Sequence, residues 1–322
     1  MASRAWMRAL GARRAMSGVA AAGPTARLRR SVLYMPASNP RALAKVPSLA
    51  ADGVILDLED AVAPELKPHA RDMAVEAAER FTTQEPQTRH KEIVIRVNGI
   101  GTEWHADDLA AVSKSKAHAM LVPKVETAEE IRAIEVRAAE LGAPDDLALW
   151  CMIETPLGVI NAPSIAGASP RVQCLVVGTV DLANELHCLP SAPGRWNLQT
   201  ALAQTVLAAR AHKKAVLDGV FIDFKDEEGF TRECRQGREL GFDGKTLIHP
   251  ATVDPANAVF SPSEAEVERA HAIVAAHLEA VKEGSGVATL NGKLVEALHV
   301  KDALRIIGLA RDIADLTAAR QG

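Results

Sequence analysis

Two apolar runs, Leu147-Ala-Leu-Trp-Cys-Met-Ile-Glu154 and Cys174-Leu-Val-Val-Gly-Thr-Val-Asp181, decide how the rest of the chain is interpreted. Each run ends in a carboxylate, and the spacing between them has room for one helix. Successive parallel strands joined by a helix end at the same edge of a sheet. We therefore expect Glu154 and Asp181 to point into one pocket.

Two bare carboxylates in one pocket repel each other by about 4 kcal/mol at ~4 Å and an effective dielectric constant of ~20. Such a pair shares a proton or binds a cation. Oxygen ligands favour Mg²⁺, with Mn²⁺ as an alternative. Taken singly, either acid is better explained as a helix cap or as a partner of a nearby arginine. Taken together, Glu154 and Asp181 predict a metal site.

Six further apolar runs bounded by turn residues resemble these two and have helix-like segments between them. The runs are 31–36, 53–60, 93–98, 119–126, 215–221 and 245–249. Eight strand-helix alternations predict an α/β fold of the closed (β/α)8 TIM-barrel type. The rival fold is a doubly wound open sheet, but the chain has no G-x-G-x-x-G after its first strand and no P-loop motif.

The sequence divides into three parts. Residues 1–30 carry seven arginines and no acid, which predicts a mitochondrial transit peptide and a matrix location. The alternative is a basic tail on a cytoplasmic protein. Residues 31–260 form the predicted barrel, and residues 261–322 form a C-terminal helical extension expected to cover an active site of its own or a neighbouring subunit.

Composition excludes several classes of partner. A formal charge of -4 gives no broad basic surface for nucleic acid, and 3% aromatic residues are too few for base stacking. No run after the leader is long enough to span a bilayer. The four cysteines lack C-x-x-C spacing, so neither a zinc site nor a disulfide framework is predicted.

Polar residues cluster late in the predicted strands, at the end where such barrels carry out catalysis. Arg96 suits a carboxylate or a developing enolate oxygen, with an ion pair to Asp57 or Glu59 as the alternative. Glu59 and Asp60 are candidates for hydrogen bonds to metal-bound water, or for ion pairs with Lys124 or Arg96.

Three basic side chains lie near the predicted first and last strands. His249 either contacts substrate or holds its own loop, and the position of its strand slightly favours substrate. Arg41 and Lys45 are suited to phosphate groups. For Arg41 and Lys45, the alternative is an ordinary position on the solvated surface.

Seven segments together resemble the HpcH/HpaI aldolase and citrate lyase beta-subunit family of CoA-ester lyases, over roughly residues 31–310. They are Ser31-Val-Leu-Tyr-Met-Pro36, Leu56-Asp-Leu-Glu-Asp-Ala61, Arg96-Val-Asn98, Pro123-Lys-Val125, Ile153-Glu-Thr155, Gly178-Thr-Val-Asp-Leu182 and Gly244-Lys-Thr-Leu-Ile-His-Pro250. This family includes malyl-CoA and citramalyl-CoA lyases.

The resemblance implies Mg²⁺ on Glu154 and Asp181, with the substrate beside Glu154 and Arg96. It implies CoA contacts at Tyr34, Arg41, Lys45, Ile248 and His249. It also implies a homotrimer or homohexamer in which the C-terminal segment covers a neighbour's active site and usually offers an aspartate as acid and base.

The matching C-terminal stretch here is Gly292-Lys-Leu-Val-Glu-Ala-Leu-His299, so Glu296 stands where the lyases have aspartate. Displacing a reacting group by about 1 Å costs on the order of a hundredfold in rate. Glu296, with Phe224-Lys-Asp-Glu-Glu-Gly229, resembles the thioesterase branch that acts on (3S)-malyl-CoA.

We therefore expect either carbon-carbon cleavage to acetyl-CoA and a 2-oxo acid, or hydrolysis to malate and CoA. The alternatives are a CoA-independent aldolase that uses pyruvate enolate and a non-catalytic subunit of a citrate-lyase-like complex. The choice among malyl, citramalyl and methylmalyl groups stays open, because one methyl group is worth only about 1–3 kcal/mol.

Overall fold

The computed structural model describes residues 27–189, 194–285 and 287–321. Eight parallel strands follow one another in chain order around a closed barrel, and the last pairs with the first. The strands are β1 Ser31–Pro36, β2 Gly53–Asp57, β3 Glu92–Arg96, β4 Ala119–Val122, β5 Ala148–Ile153, β6 Val172–Val177, β7 Ala215–Asp218 and β8 Gly244–Leu247. The predicted (β/α)8 barrel is confirmed.

Helices connect the strands and form the outer layer. They are α1 Pro40–Leu43, α2 Lys67–Glu79, α3 His105–Ser113, α4 Ala128–Glu140, α5 Pro156–Ala166, α6 Thr179–Glu185, α7 Gln199–Ala211, α8 Glu227–Leu240 and α9 Val253–Phe260. A capping box formed by Thr127 and Glu130 starts α4. Apolar side chains fill both the barrel interior and the space between strands and helices.

Except for β1, the strands end earlier than the sequence predicted. The run expected to extend to Asp181 is a strand only up to Val177, so the expected placement of Asp181 at a strand end is wrong. Gly178 leaves the extended conformation at φ -95° and ψ 83°, and Asp181 lies in the first turn of α6. Glu59 and Asp60 likewise follow β2 in a loop.

The end of the barrel opposite the strand C-termini is closed by the segment before β1. Arg29 makes two hydrogen bonds to Glu92, at 2.6 and 2.8 Å, and lies over the Trp150 ring. Arg30 binds both carboxylate oxygens of Asp52 at 2.8 Å. Both arginines therefore belong to the folded barrel, although the predicted leader included them; its residues 1–26 lie outside the described chain.

The extension consists of α10 Glu264–Lys282, a hairpin of β9 Ala288–Leu290 and β10 Lys293–Val295, and α11 Ala297–Gln321. We call these elements the arm. The arm has a small core of its own, and its two helices pack chiefly on each other and on the hairpin. Its base is joined to the barrel by Arg238-Glu266 contacts of 2.8 and 2.9 Å and by a hydrogen bond from Arg320 to the carbonyl of Ala51.

Within the described residues, no helix combines the length and the apolar character that crossing a membrane requires.

Candidate active site

Glu154 is the buried centre of the barrel mouth, the end formed by the strand C-termini. It follows β5 directly and is 1% exposed. Its Oε1 atom accepts a hydrogen bond of 2.8 Å from the backbone N–H of Lys124. Its Oε2 atom is buried without a hydrogen-bond partner in the described part of the chain. A buried polar atom without a partner is costly, so this oxygen indicates a ligand that the protein itself does not supply.

Gly178, the residue after β6, makes room for that oxygen. A Cβ atom at this position would lie 2.2 Å from Oε2 of Glu154 and 2.4 Å from its Cβ. Real Cβ contacts are never that short, so a glycine is required. The sequence analysis missed this role, although the glycine between an apolar strand and an acid was a visible signal.

Lys124 links the acids of the mouth. Its Nζ atom lies 3.0 Å from Oε1 of Glu59 and 3.7 Å from Oδ1 of Asp181. Its backbone amide binds Glu154, so one residue contacts all three carboxylates. Glu154 and Asp181 are thus brought to the same neighbour, as the sequence predicted, although they approach it from a strand end and from a helix.

Burial raises the pKa of Glu154 to about 7, and the negative charges of Asp181 and Glu59 act in the same direction. The Lys124 amide opposes this shift. Burial also raises the pKa of Glu59, opposed by the charge of Arg96. These carboxylates therefore hold protons more tightly than exposed ones, and a cation would stabilise their ionised forms.

Arg96 is held in place by β2. Asp57 and Arg96 are register partners on neighbouring strands, and their side chains form two hydrogen bonds of 2.6 and 2.7 Å. The Nη1 atom of Arg96 lies 2.8 Å from Glu59 and 3.5 Å from Asp60, and its guanidinium lies over the Tyr34 ring. The ion-pair alternative describes this geometry, with Nε and Nη2 bound to Asp57 and Nη1 to Glu59.

Lys67 supports the loop that carries Glu59, and the sequence analysis missed it. This buried lysine donates hydrogen bonds of 2.9 Å to the carbonyl oxygens of Leu58 and Glu59, and one of 2.6 Å to Oδ1 of Asn98. Its only signal in the sequence was a lysine early in the helix after β2, which usually marks a solvated face.

The remaining candidates lie around the rim. Arg41 and Lys45 are exposed beside α1. His249 accepts a hydrogen bond from the N–H of Ala251 and stacks on Phe224 with 4.2 Å between ring centres, so it does hold its loop. Ile248 is 41% exposed. Contact of these residues and Tyr34 with CoA stays a prediction.

Glu296 lies on the arm between β10 and α11, and it is exposed. Its backbone N–H donates to Nδ1 of His299 at 2.9 Å. Among the described residues, its carboxylate has no hydrogen bond or ion pair, so this single copy does not bring it to Arg96 or Glu154. The catalytic role of Glu296 therefore stays a prediction.

The donor set of the mouth fits a divalent cation. By formal charge, acids outnumber cations there by five to three: Asp57, Glu59, Asp60, Glu154 and Asp181 against Arg96, Lys124 and Lys67. No three His, Cys, Asp or Glu side chains in the described ranges converge closely enough to enclose an ion. Mg²⁺ suits such an open site, because it usually keeps several waters and takes one or two carboxylates.

The fold and this site define a (β/α)8-barrel enzyme with an acid cluster at its catalytic end. The HpcH/HpaI aldolase/citrate lyase family matches residues 30–250, and the chain belongs to this family.

Two curated relatives match almost the whole chain. A (3S)-malyl-CoA thioesterase of Cereibacter sphaeroides is 48% identical over 290 residues, covering 90% of this chain and 97% of its own. An L-malyl-CoA/beta-methylmalyl-CoA lyase of Rhodobacter capsulatus is 33% identical over 306 residues, covering 88% and 94%.

A solved structure is also similar to most of this chain. The protein CitE of Mycobacterium tuberculosis, in complex with magnesium, acetoacetate and coenzyme A, superimposes with a TM-score of 0.70 at 28% identity. The match covers 87% of this chain and 97% of that one.

Replacing Gly178 by alanine should displace the Glu154 carboxylate, since the new Cβ would overlap Oε2. We expect Mg²⁺ affinity to fall roughly 10–100-fold, the usual effect of disturbing the support of a metal ligand. Isothermal titration calorimetry measures this loss. Gly308→Ala is the matched control, because that glycine has open space around it. Equal affinity in both variants would show that Gly178 does not position Glu154.

Metal affinity should also depend on pH. A protonated carboxylate does not bind a metal, so a pKa of about 7 for Glu154 predicts that Mg²⁺ binding weakens about tenfold for each pH unit below 7.

Without metal, the native state holds this proton more tightly than the unfolded chain. Stability should therefore decline as the pH rises from the ordinary value of 4.5 through 7. Glu154→Gln should abolish this dependence of stability on pH. Mg²⁺ affinity that stays constant in the native chain from pH 6 to 8 would contradict the predicted dependence of binding on pH.

Proposed function

We propose that this chain is a magnesium-dependent enzyme of malyl-CoA-type 3-hydroxyacyl-CoA esters. The observation that carries the proposal is the buried Oε2 atom of Glu154, which has no partner in the described chain and lies in a mouth where acids outnumber cations. The solved CitE complex contains magnesium and coenzyme A, which supports both parts of the proposal. Mn²⁺ prefers the same oxygen donors and is the expected substitute.

The divalent ion, when bound, supplies a Lewis acid for a ligand with two oxygen atoms, such as a 2-hydroxy acid. Glu154 and Asp181 would hold it. Arg96 would bind the substrate carboxylate through Nη1 in exchange for its contact with Glu59, because Asp57 holds the other edge of the guanidinium. Lys67 holds the backbone carbonyl of Glu59, while the charges of Arg96 and Lys124 oppose the rise in pKa that burial causes at the Glu59 carboxylate.

Hydrolysis to malate and CoA is the favoured outcome. It is supported by the 48% identity to the thioesterase over nearly the full chain. In this reaction the Glu296 carboxylate would accept a proton from the water that attacks the thioester carbonyl. Carbon-carbon cleavage is the second candidate, supported by the lyase relative. There the malyl hydroxyl would release its proton to solvent as the carbon-carbon bond breaks to give the 2-oxo acid, and Glu296 in its protonated form would deliver a proton to the acetyl carbon.

Changing Glu296 to aspartate should move the carboxylate by one methylene and alter the balance between these outcomes. We expect the native chain with Mg²⁺ to release malate and CoA from malyl-CoA. We expect Glu296→Asp to lose about a hundredfold in hydrolysis and to form relatively more glyoxylate and acetyl-CoA. Chromatographic product analysis measures both ratios, with and without EDTA.

Glu283→Asp is the matched control, an exposed glutamate on the same arm. An unchanged product ratio in Glu296→Asp would contradict its catalytic role. Turnover of pyruvate-derived substrates without CoA would favour the aldolase alternative. Inactivity of a folded, metal-bound protein would favour the non-catalytic subunit.

We propose that the arm completes the active site of a second copy, in a homotrimer or homohexamer. The support is that Glu296 reaches no site residue in its own copy and that the arm packs chiefly on itself. The arm also exposes apolar side chains, since Leu294 and Leu298 are 53% and 64% exposed. Exposed apolar surface of this kind is typical of protein interfaces.

Mixing two inactive variants tests this arrangement. Glu154→Gln loses the barrel site and Glu296→Gln loses the arm carboxylate. When they are co-expressed, oligomers should contain about a quarter of sites with both residues native, so activity should return. Light scattering reports the oligomer size. A monomeric protein, or no recovery of activity in mixed oligomers, would contradict the proposal.

We propose a mitochondrial matrix location, on the basis of the arginine-rich and acid-free residues 1–26. Any processing must leave Arg29 and Arg30 in place, because both form buried ion pairs with the barrel.

A further inference from the structure

Lys124 occupies an unusual position for a lysine. Its backbone has φ +51°, in the left-handed region that residues other than glycine seldom adopt. In this conformation the N–H binds Oε1 of Glu154 while the ammonium lies between Glu59 and Asp181. Lys213 has the same conformation away from the mouth, so what distinguishes Lys124 is the set of acids that this backbone lets it contact.

The ammonium is not buried as a structural ion would be. The Lys124 side chain is 41% exposed and Asp181 is 38% exposed, so their contact at 3.7 Å is accessible to water and weak. The contact with Glu59 is shorter, at 3.0 Å, and its carboxylate is only 10% exposed. The ammonium is therefore anchored on Glu59 and can leave Asp181 without unfolding anything.

We propose that Lys124 sets the strength of divalent-cation binding at Glu154 and Asp181. This inference rests on the magnesium dependence proposed above. The Lys124 ammonium is the counter-charge of the acid cluster, and a divalent ion has to compete with it for Asp181. The Lys124 amide has the opposite role, because it fixes one oxygen of Glu154 and leaves the other for the ion.

Substitution of the side chain separates the two roles, since methionine, glycine and arginine all keep the backbone N–H. Lys124→Met removes the charge and keeps most of the side-chain length. Lys124→Gly removes the charge and also suits the left-handed backbone. If the ammonium opposes the ion, both variants should bind Mg²⁺ roughly tenfold more tightly than the native chain, because a positive charge within a few ångströms is removed. Lys124→Arg keeps the charge and should bind like the native chain.

Isothermal titration calorimetry with Mg²⁺ alone, without substrate, is the deciding measurement. Lys213→Met is the matched control, because Lys213 also has a left-handed backbone, at φ +57°, but is exposed just before β7 at the other end of the barrel. Thermal melts should show that Mg²⁺ raises the melting temperature of Lys124→Met more than that of the native chain and the control.

Two results would overturn the inference. In the first, Lys124→Met and Lys124→Gly bind Mg²⁺ no more tightly than the native chain, while Glu154→Gln still abolishes native binding. This result would overturn the role of Lys124 and leave the magnesium site in place. Native Mg²⁺ binding that is absent or insensitive to Glu154→Gln would overturn both this inference and the magnesium site of the proposed function.

Discussion

The architecture of the mouth depends on one buried carboxylate whose second oxygen has no partner in the described chain. Burial of an ionised carboxylate is expensive, and an unpaired oxygen makes it more so. The fold nevertheless reserves space for this oxygen by placing Gly178 against Glu154, where any Cβ would overlap it. A site built at that cost is best explained by a ligand whose charge compensates it.

The barrel itself provides the precision that such a site needs. Asp57 and Arg96 are direct partners in the β2-β3 register, so strand pairing fixes the guanidinium before any ligand arrives. Lys67 then binds the carbonyl oxygens of the loop after β2, which keeps Glu59 close to Arg96. Functional groups on rigid strands, supported by a second layer of hydrogen bonds, are held in a nearly constant geometry.

The periodic apolar runs were sufficient to predict the barrel, because strands buried on both faces leave an unbroken apolar pattern. The limits of the strands were less predictable. Asp181 continues an apolar run, yet it lies in a helix, because Gly178 ends the strand and the pattern does not record a change of backbone conformation. The ion pair of Lys124 with Glu59 was one of the predicted alternatives, but the contacts of Lys124 with Glu154 and Asp181 and the role of Lys67 were missed, because a lysine that folds back onto carbonyls or acids has the same sequence signature as one on the surface.

The arm shows why one copy of the chain does not account for the whole proposed mechanism. Both its ends are tied near the barrel end opposite the mouth, by Glu266 to Arg238 and by Arg320 to Ala51. Helix α11 has 25 residues and is about 37 Å long, so Glu296 at its start is carried far from that attachment. A small separate core keeps the arm rigid over this distance. An extended element that has its own core and little contact with its own barrel would gain stability in the proposed oligomer, where the exposed Leu294 and Leu298 beside Glu296 would provide the apolar surface for contact with a second copy.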